Sequence, residues 1–168
     1  MKILLVNPPH LSIGSRLPKE HLPPLGLLYV GGALIDAGYY VDLLDADYSN
    51  MKIHQIVESV VAKKADIVML GHSGSTSAQP IINEITQLIR QTQPEIRIVV
   101  GGVFPTFHWE NILQENPQID FIVCGEGEIT ILKLVRAIEQ NLPVSEIKGI
   151  AYRQNNISIS SAKACGFL

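Results

Sequence analysis

The sequence predicts a doubly wound α/β domain, a parallel sheet with helices on both faces. Short aliphatic and β-branched runs alternate with segments of helical periodicity. Most of those runs are apolar, as strands covered on both faces are. Glycine clusters follow the runs, at Gly71, at Gly101-Gly102 and at Gly125-Glu126-Gly127.

The elements follow in order. Ile3–Val6 reads as a first strand, stopped by Pro8-Pro9. Residues 8–24 form a proline-rich connection longer than most, which points to function. Leu25–Gly38 reads as a helix carried by Leu27, Val30, Leu34 and Ala37 and closed by Gly38. Tyr40–Leu44 is the second strand and ends in Asp45-Ala46-Asp47, and Met51–Lys63 is a helix buried through Ile53, Ile56, Val57, Val60 and Val61. Ile67–Leu70 is the third strand, and Ala78–Thr92 is a helix with Ile81, Ile82, Ile85, Leu88 and Ile89 on one stripe. Ser77 is its expected cap, and Pro80 is tolerable in its first turn. Ile96–Val100 is the fourth strand, His108–Gln114 a short helix and Phe121–Cys124 the fifth strand. A last helix runs through Ile131, Leu132, Val135 and Ile138. Beyond Pro143, Ile147–Tyr152 and Ile157–Ser160 read as a small hairpin around Asn155-Asn156. The expected organisation is a flavodoxin-like five-stranded parallel sheet over residues 1–143, then hairpin and tail over 144–168.

Composition narrows the function. The chain has 168 residues, 46% of them hydrophobic and 17% charged, enough apolar material for one substantial core. With 13 Lys and Arg scattered among 16 acids, it offers no basic patch for nucleic acid. No apolar run approaches a membrane span, and the amino terminus reads as a buried strand, so the expected compartment is the cytoplasm. The 2 cysteines, Cys124 and Cys165, make neither a disulfide scaffold nor an internal cluster site. The fold's familiar ligands leave fingerprints that are missing. Asn7-Pro8-Pro9 stands where a dinucleotide domain carries G-x-G-x-x-G, no phosphate loop occurs, and Gly71-His72 replaces a phosphoacceptor aspartate. There is no nucleophile elbow and no visible Cys–His pair, so a binding module is favoured over a self-sufficient enzyme.

In doubly wound sheets ligands bind beyond the strand carboxyl ends, where the strand order reverses. Gly71-His72-Ser73-Gly74-Ser75-Thr76 joins close backbone approach to hydroxyl contacts. His72 is expected to meet ligand or backbone there. Gly101-Gly102-Val103-Phe104 reads as a tight turn with a rigid wall beside a flat ligand. In Gly125-Glu126-Gly127-Glu128 the acids disfavour phosphate and accept hydroxyls or amides, Glu126 nearer the cleft and Glu128 serving the helix dipole. His10 and His21, on the proline-rich loop, are candidates to swing over a bound group, whereas Asp45 and Asp47 read as solvated turn residues.

Together these segments carry a resemblance. Residues Lys2–Pro9 and Pro23–Leu34, with the loops at Gly71–Thr76, Gly101–Thr106 and Gly125–Glu128, resemble the B12-binding domains that precede radical S-adenosylmethionine domains. The match spans roughly residues 1–160 and is most similar to the branch that works anaerobically on a magnesium porphyrin ester. Related methyltransferases share most of the motifs.

The resemblance implies a cobalamin lying across the strand ends, its nucleotide tail threaded between sheet and helices. Ser73, Gly74, Ser75, Thr76, Gly101, Gly102, Gly125, Glu126 and Gly127 would line the tail, while Asn7, Pro8 and the loop to Leu25 would approach the corrin. The methionine-synthase type carries D-x-H-x-x-G after its first strand, its histidine on cobalt. Here Pro9 takes that place with His10 one residue displaced, so the resemblance implies no imidazole on cobalt from this motif. The family's C-x-x-x-C-x-x-C segment, which holds a 4Fe-4S cluster and cleaves S-adenosylmethionine, is not in this sequence. The expectation is therefore a fragment or split gene product, inactive alone, whose radical S-adenosylmethionine domain acts in cis or in trans. The complete protein would oxidise the porphyrin substrate's propionate ester and close the isocyclic ring of (bacterio)chlorophyll, with water supplying the oxygen. A flavin- or nucleotide-binding domain and a non-catalytic partner-docking module are the other classes consistent with the fold.

Overall fold

The structure, a computed structural model, describes residues 1–9, 23–72, 78–155 and 157–161, with His72 described by its backbone alone. The chain runs β1 (Lys2–Asn7), α1 (Leu25–Asp36), β2 (Tyr40–Asp45), α2 (Ile53–Lys63), β3 (Ile67–His72), α3 (Gln79–Thr92) and β4 (Arg97–Gly102). It continues through α4 (Val103–Glu115), β5 (Phe121–Val123), α5 (Glu128–Gln140), β6 (Ile150–Gln154) and β7 (Ile157–Ser160). The sheet order is β2-β1-β3-β4-β5-β6-β7, with β1 to β5 parallel. The order reverses between β1 and β3, which fixes the switch point of a doubly wound sheet there.

Side-chain alternation along the strands divides the core in two. Leu4, Val6, Val68, Leu70, Ile98, Val100 and Ile122 face α2, α3 and α4. Ile3, Leu5, Ile67, Met69, Val99 and Val123 face α1 and α5. On α3 the buried stripe Ile82, Ile85 and Ile89 is fully covered, and Pro80 sits in the first turn, where its missing N–H costs no helical bond. The sequence placed Ser77 as this helix's cap, and Ser77 lies outside the described residues. At the start of α2 the Lys52 backbone N–H donates to Gln55 Oε1 at 2.8 Å, and Lys64 in the left-handed region ends the helix. On α1 Gly31 permits a close approach to the sheet, since a Cβ there would lie 2.8 Å from Leu5 Cδ1.

Two expectations are corrected. The hairpin extends the main sheet to seven strands, because β6 pairs antiparallel with β5 through Ile122–Ala151 and Val123–Ile150. Ile150, Ala151 and Tyr152 are buried on both faces, as an interior strand requires. Arg153, next on β6, spans to the end of α4 and donates to the carbonyls of Leu113 (2.7 Å), Pro117 (2.7 Å) and Ile119. The second correction concerns α4, which begins at Val103 instead of His108. Gly102, at φ 119°, turns the chain directly from β4 into the helix, and non-helical backbone at His108 kinks it. Among the described residues no helix is long and apolar enough to cross a membrane.

Candidate functional site

Sheet register places an empty layer at the carboxyl end of the central strands. Met69 and Val99 are neighbours in the pairing of β3 with β4, and two residues further on the same face Gly71 neighbours Gly101. Val123 stands beside Gly101 on β5. The row of large side chains thus gives way to a row of two glycines and one valine. Above it lies a cleft of about 180 Å³, walled by Leu27 and Val30 of α1 and by Ile131 of α5. Gly102, Gly125, Glu126, Gly127 and Glu128 form its rim on one side, and Pro24, Leu25 and Gly26 on the other. Among the described lining residues the charged ones are Glu126 and Glu128.

The glycines differ in what they do. A Cβ at Gly71 would lie 3.0 Å from Leu27 Cδ2, and one at Gly127 would lie 3.2 Å from Val30 Cγ2. Both therefore let α1 settle close to the sheet and to the start of α5. At Gly101 the nearest atoms to a Cβ are the Val123 oxygen at 3.5 Å and Val123 Cβ at 3.8 Å, which is ordinary contact. Among the described residues no neighbouring side chain requires glycine there, so the space above Gly101 is clearance into the cleft. Gly125, at φ 70°, turns β5 toward α5.

The two rim loops are tied together. Thr106 Oγ1 donates to the Gly102 carbonyl at 2.8 Å and accepts from the Gly125 N–H at 2.9 Å. At the switch point Asn7 is buried, and its side-chain amide donates to Asp45 Oδ1 at 2.8 Å. The Asn7 carbonyl accepts from the N–H groups of Ala46 (3.0 Å) and Asp47 (3.2 Å). Asp45 also accepts the Tyr48 N–H at 3.1 Å, so it braces the turn after β2 instead of lying loose in solvent.

Of the residues singled out in the sequence, the structure brings Leu25, Gly101, Gly102, Gly125, Glu126 and Gly127 to this cleft. Asn7, Pro8 and Pro9 follow β1 at the neighbouring strand end and are not in its lining. Val103 is exposed on the first turn of α4, and Phe104 packs on the opposite face of the sheet, stacked on the His108 ring at 4.1 Å. His72 contributes its backbone to the end of β3. His10, His21, Ser73, Gly74, Ser75 and Thr76 lie outside the described residues. Sequence reasoning missed the apolar walls and Thr106. A signal for the floor was present in the i, i+2 spacing of Met69 with Gly71 and of Val99 with Gly101.

A cleft between two helices at the strand ends, floored by glycine, suits a long ligand that enters edgewise. The model of the B12 binding domain family matches residues 16–135. The chain belongs to that family. This B12-binding domain is 51% identical over 164 residues to the anaerobic magnesium-protoporphyrin IX monomethyl ester cyclase of Synechocystis, covering 98% of this chain and 33% of that protein. It is 34% identical to the cyclase of Rubrivivax gelatinosus, covering 90% of this chain and 28% of the relative. An uncharacterized methyltransferase of Pyrococcus horikoshii is 32% identical, with 92% of this chain and 33% of the relative covered. The chain thus spans about a third of these relatives' length. Among solved structures, the radical S-adenosylmethionine methyltransferase TsrM from Kitasatospora setae, with cobalamin and a 4Fe-4S cluster bound, matches at TM-score 0.81 and 21% identity. That match covers 96% of this chain and 29% of TsrM. OxsB, a cobalamin-dependent S-adenosylmethionine radical enzyme with aqua-cobalamin bound, matches at TM-score 0.78 and 24% identity, over 95% of this chain and 22% of OxsB. These structural likenesses establish the shared fold.

Proposed function

We propose that this domain holds cobalamin for a radical S-adenosylmethionine enzyme that closes the isocyclic ring of (bacterio)chlorophyll on magnesium-protoporphyrin IX monomethyl ester. The observation that carries the cofactor part is the glycine-floored cleft between α1 and α5 in a chain of the B12-binding family. Its lining suits the base and ribose of a nucleotide tail. Leu27, Val30 and Ile131 offer apolar walls, Gly101 leaves its part of the floor free of a side chain, and the Glu126 and Glu128 carboxylates can accept hydrogen bonds from hydroxyl or amide donors.

Bound cobalamin supplies a cobalt centre suited to methyl transfer or one-electron chemistry. The chain's own residues bind and orient it. The apolar walls exclude water from the tail, while Gly101, Gly102 and Gly125 to Gly127 bring backbone within contact distance. Leu25 and, past β1, Asn7 and Pro8 lie at the strand ends where the corrin would rest. The hydroxyl-bearing residues Ser73, Ser75 and Thr76, with Gly74 and His72, belong to the same proposed site. Pro9 has no metal-binding side chain, so cobalt takes no imidazole from that position.

Support for the cyclase part is the 51% identity to the Synechocystis protein. In that reading a radical S-adenosylmethionine domain, in cis or in trans, brings the 4Fe-4S cluster and S-adenosylmethionine, and the protein works in the cytoplasm. The chain alone is then expected to be inactive. The 32% identity to the Pyrococcus protein favours methyl transfer as the second reading, with the same cofactor in the same cleft.

The deciding experiment is a calorimetric and visible-absorption titration of the purified chain with hydroxocobalamin. Saturable one-to-one binding with shifted corrin bands is expected. Folded protein that takes up flavin instead, or no ligand at all, overturns the cofactor reading.

A further inference from the structure

We propose that Thr106 is a positioning residue that sets the gap between the two glycine loops at the cleft mouth, and thereby the domain's preference for a corrin bearing its nucleotide tail. This rests on the cofactor reading above. Thr106 does not line the cleft itself. Its hydroxyl stands between the loops that do, donating to the Gly102 carbonyl at 2.8 Å and accepting from the Gly125 N–H at 2.9 Å. The β4–β5 register ends at Gly101 paired with Val123. Thr106 thus supplies a cross-link beyond the last ladder pair, between segments that would otherwise diverge into α4 and α5.

The two residues it joins both have backbone angles that favour glycine. Gly102 has φ 119° and Gly125 φ 70°, both in the region that favours glycine. One hydroxyl can donate and accept at the same atom, which is what a carbonyl on one loop and an N–H on the other demand. A β-branched side chain in a first helical turn has few rotamers, and one of them directs Oγ to the carbonyl four residues back. The loop spacing is therefore held by a stiff strut. Gly102 and Gly125 line the same cleft as Gly101, the floor position whose missing side chain no described neighbour requires.

The test compares wild type with Thr106→Val, which keeps the shape but neither hydrogen bond, and Thr106→Ser, which keeps both. Each is titrated with hydroxocobalamin and with cobinamide, the corrin without its nucleotide tail, at a temperature where its melting profile shows it fully folded. Thr106→Val is expected to weaken cobalamin binding by roughly tenfold, because the tail must then order loops that the hydroxyl holds in place before binding, while leaving cobinamide binding unchanged. Thr106→Ser is expected to restore the wild-type preference. A Val variant that loses both ligands equally marks Thr106 as merely structural and overturns the proposal, as does one that keeps the full preference. Wild type that binds cobinamide as tightly as cobalamin refutes the cleft as a tail slot, a separate failure of the underlying reading.

Discussion

Gly101→Ala separates a residue that is glycine for the fold from one that is glycine for a ligand. Position 101 lies in β4 with no positive φ, and its added methyl would rest 3.5 Å from the Val123 oxygen and 3.8 Å from Val123 Cβ. The ligand-free protein therefore accommodates it without displacement. Burying one methyl contributes about 0.8 kcal/mol at most, and replacing glycine restricts the unfolded chain by about 0.4–1 kcal/mol. Ligand-free stability should rise by about 1 kcal/mol, a melting shift of about 2–4 °C for a domain of this size. On the proposed reading, with cobalamin present the same methyl would project into the space the tail needs. Overpacking a filled site costs about 1–3 kcal/mol, so affinity should fall by about five- to a hundredfold. Thermal denaturation without ligand and absorption titration with hydroxocobalamin read the two halves independently. A variant that is more stable and binds as tightly as wild type refutes the assignment of the floor. One that melts well below wild type refutes the clearance argument.

Two further outcomes concern the scaffold. Arg153→Met removes the donors that satisfy the carbonyls of Leu113, Pro117 and Ile119, and should cost about 2 kcal/mol in urea denaturation, since bonds to a charged group are the stronger kind. A midpoint equal to wild type would mean that β6 and β7 hold to the domain without this anchor. Asp42 is held below the usual carboxylate range, first by its hydrogen bond from Lys63, against the opposing effect of burial. A depressed folded value means stability that is present above the unfolded carboxylate range and lost as pH falls through the folded one. Asp42→Asn should thus cost about 0.5 kcal/mol at neutral pH, a partly exposed pair being worth little. It should cost nothing once the solution is more acidic than the folded value, and an equal loss at both pH values would remove the ion pair as the cause.

The fold was legible where burial on both sides wrote apolar runs, as in Ile3–Val6, Ile67–Leu70 and Ile98–Val100. It was less legible where one backbone angle decided the outcome. Val103-Phe104-Pro105-Thr106 reads as a loop because it follows two glycines and contains proline. Yet Gly102 at φ 119° starts α4 at once, and the His108 kink leaves only the later half with regular spacing. The hairpin's place in the sheet depends on pairing between Ile122 and Ala151, far apart in sequence, so periodicity did not reveal it. The site divides in the same way. Glycines at strand ends announced the cleft. Leu27, Val30 and Ile131 did not, because an apolar residue facing a cleft carries the same signal as one facing a helix.

The kind of surface the cleft presents bears on how one domain serves relatives of different chemistry. Its described lining consists of backbone at the glycines, aliphatic walls and the two carboxylates at the rim. Backbone and aliphatic contacts read shape, whereas discrimination between reactions needs polar groups aimed at reacting atoms. A cleft of this type can therefore be common to a cyclase 51% identical to this chain and a methyltransferase 32% identical to it. On the proposed reading, the choice between ring closure and methyl transfer lies with groups that meet the porphyrin on the exposed side of the corrin. On the same reading this domain's part would be to hold the cofactor, and its support would be the cross-link through Thr106 and the close seating of α1 on Gly31 and Gly71.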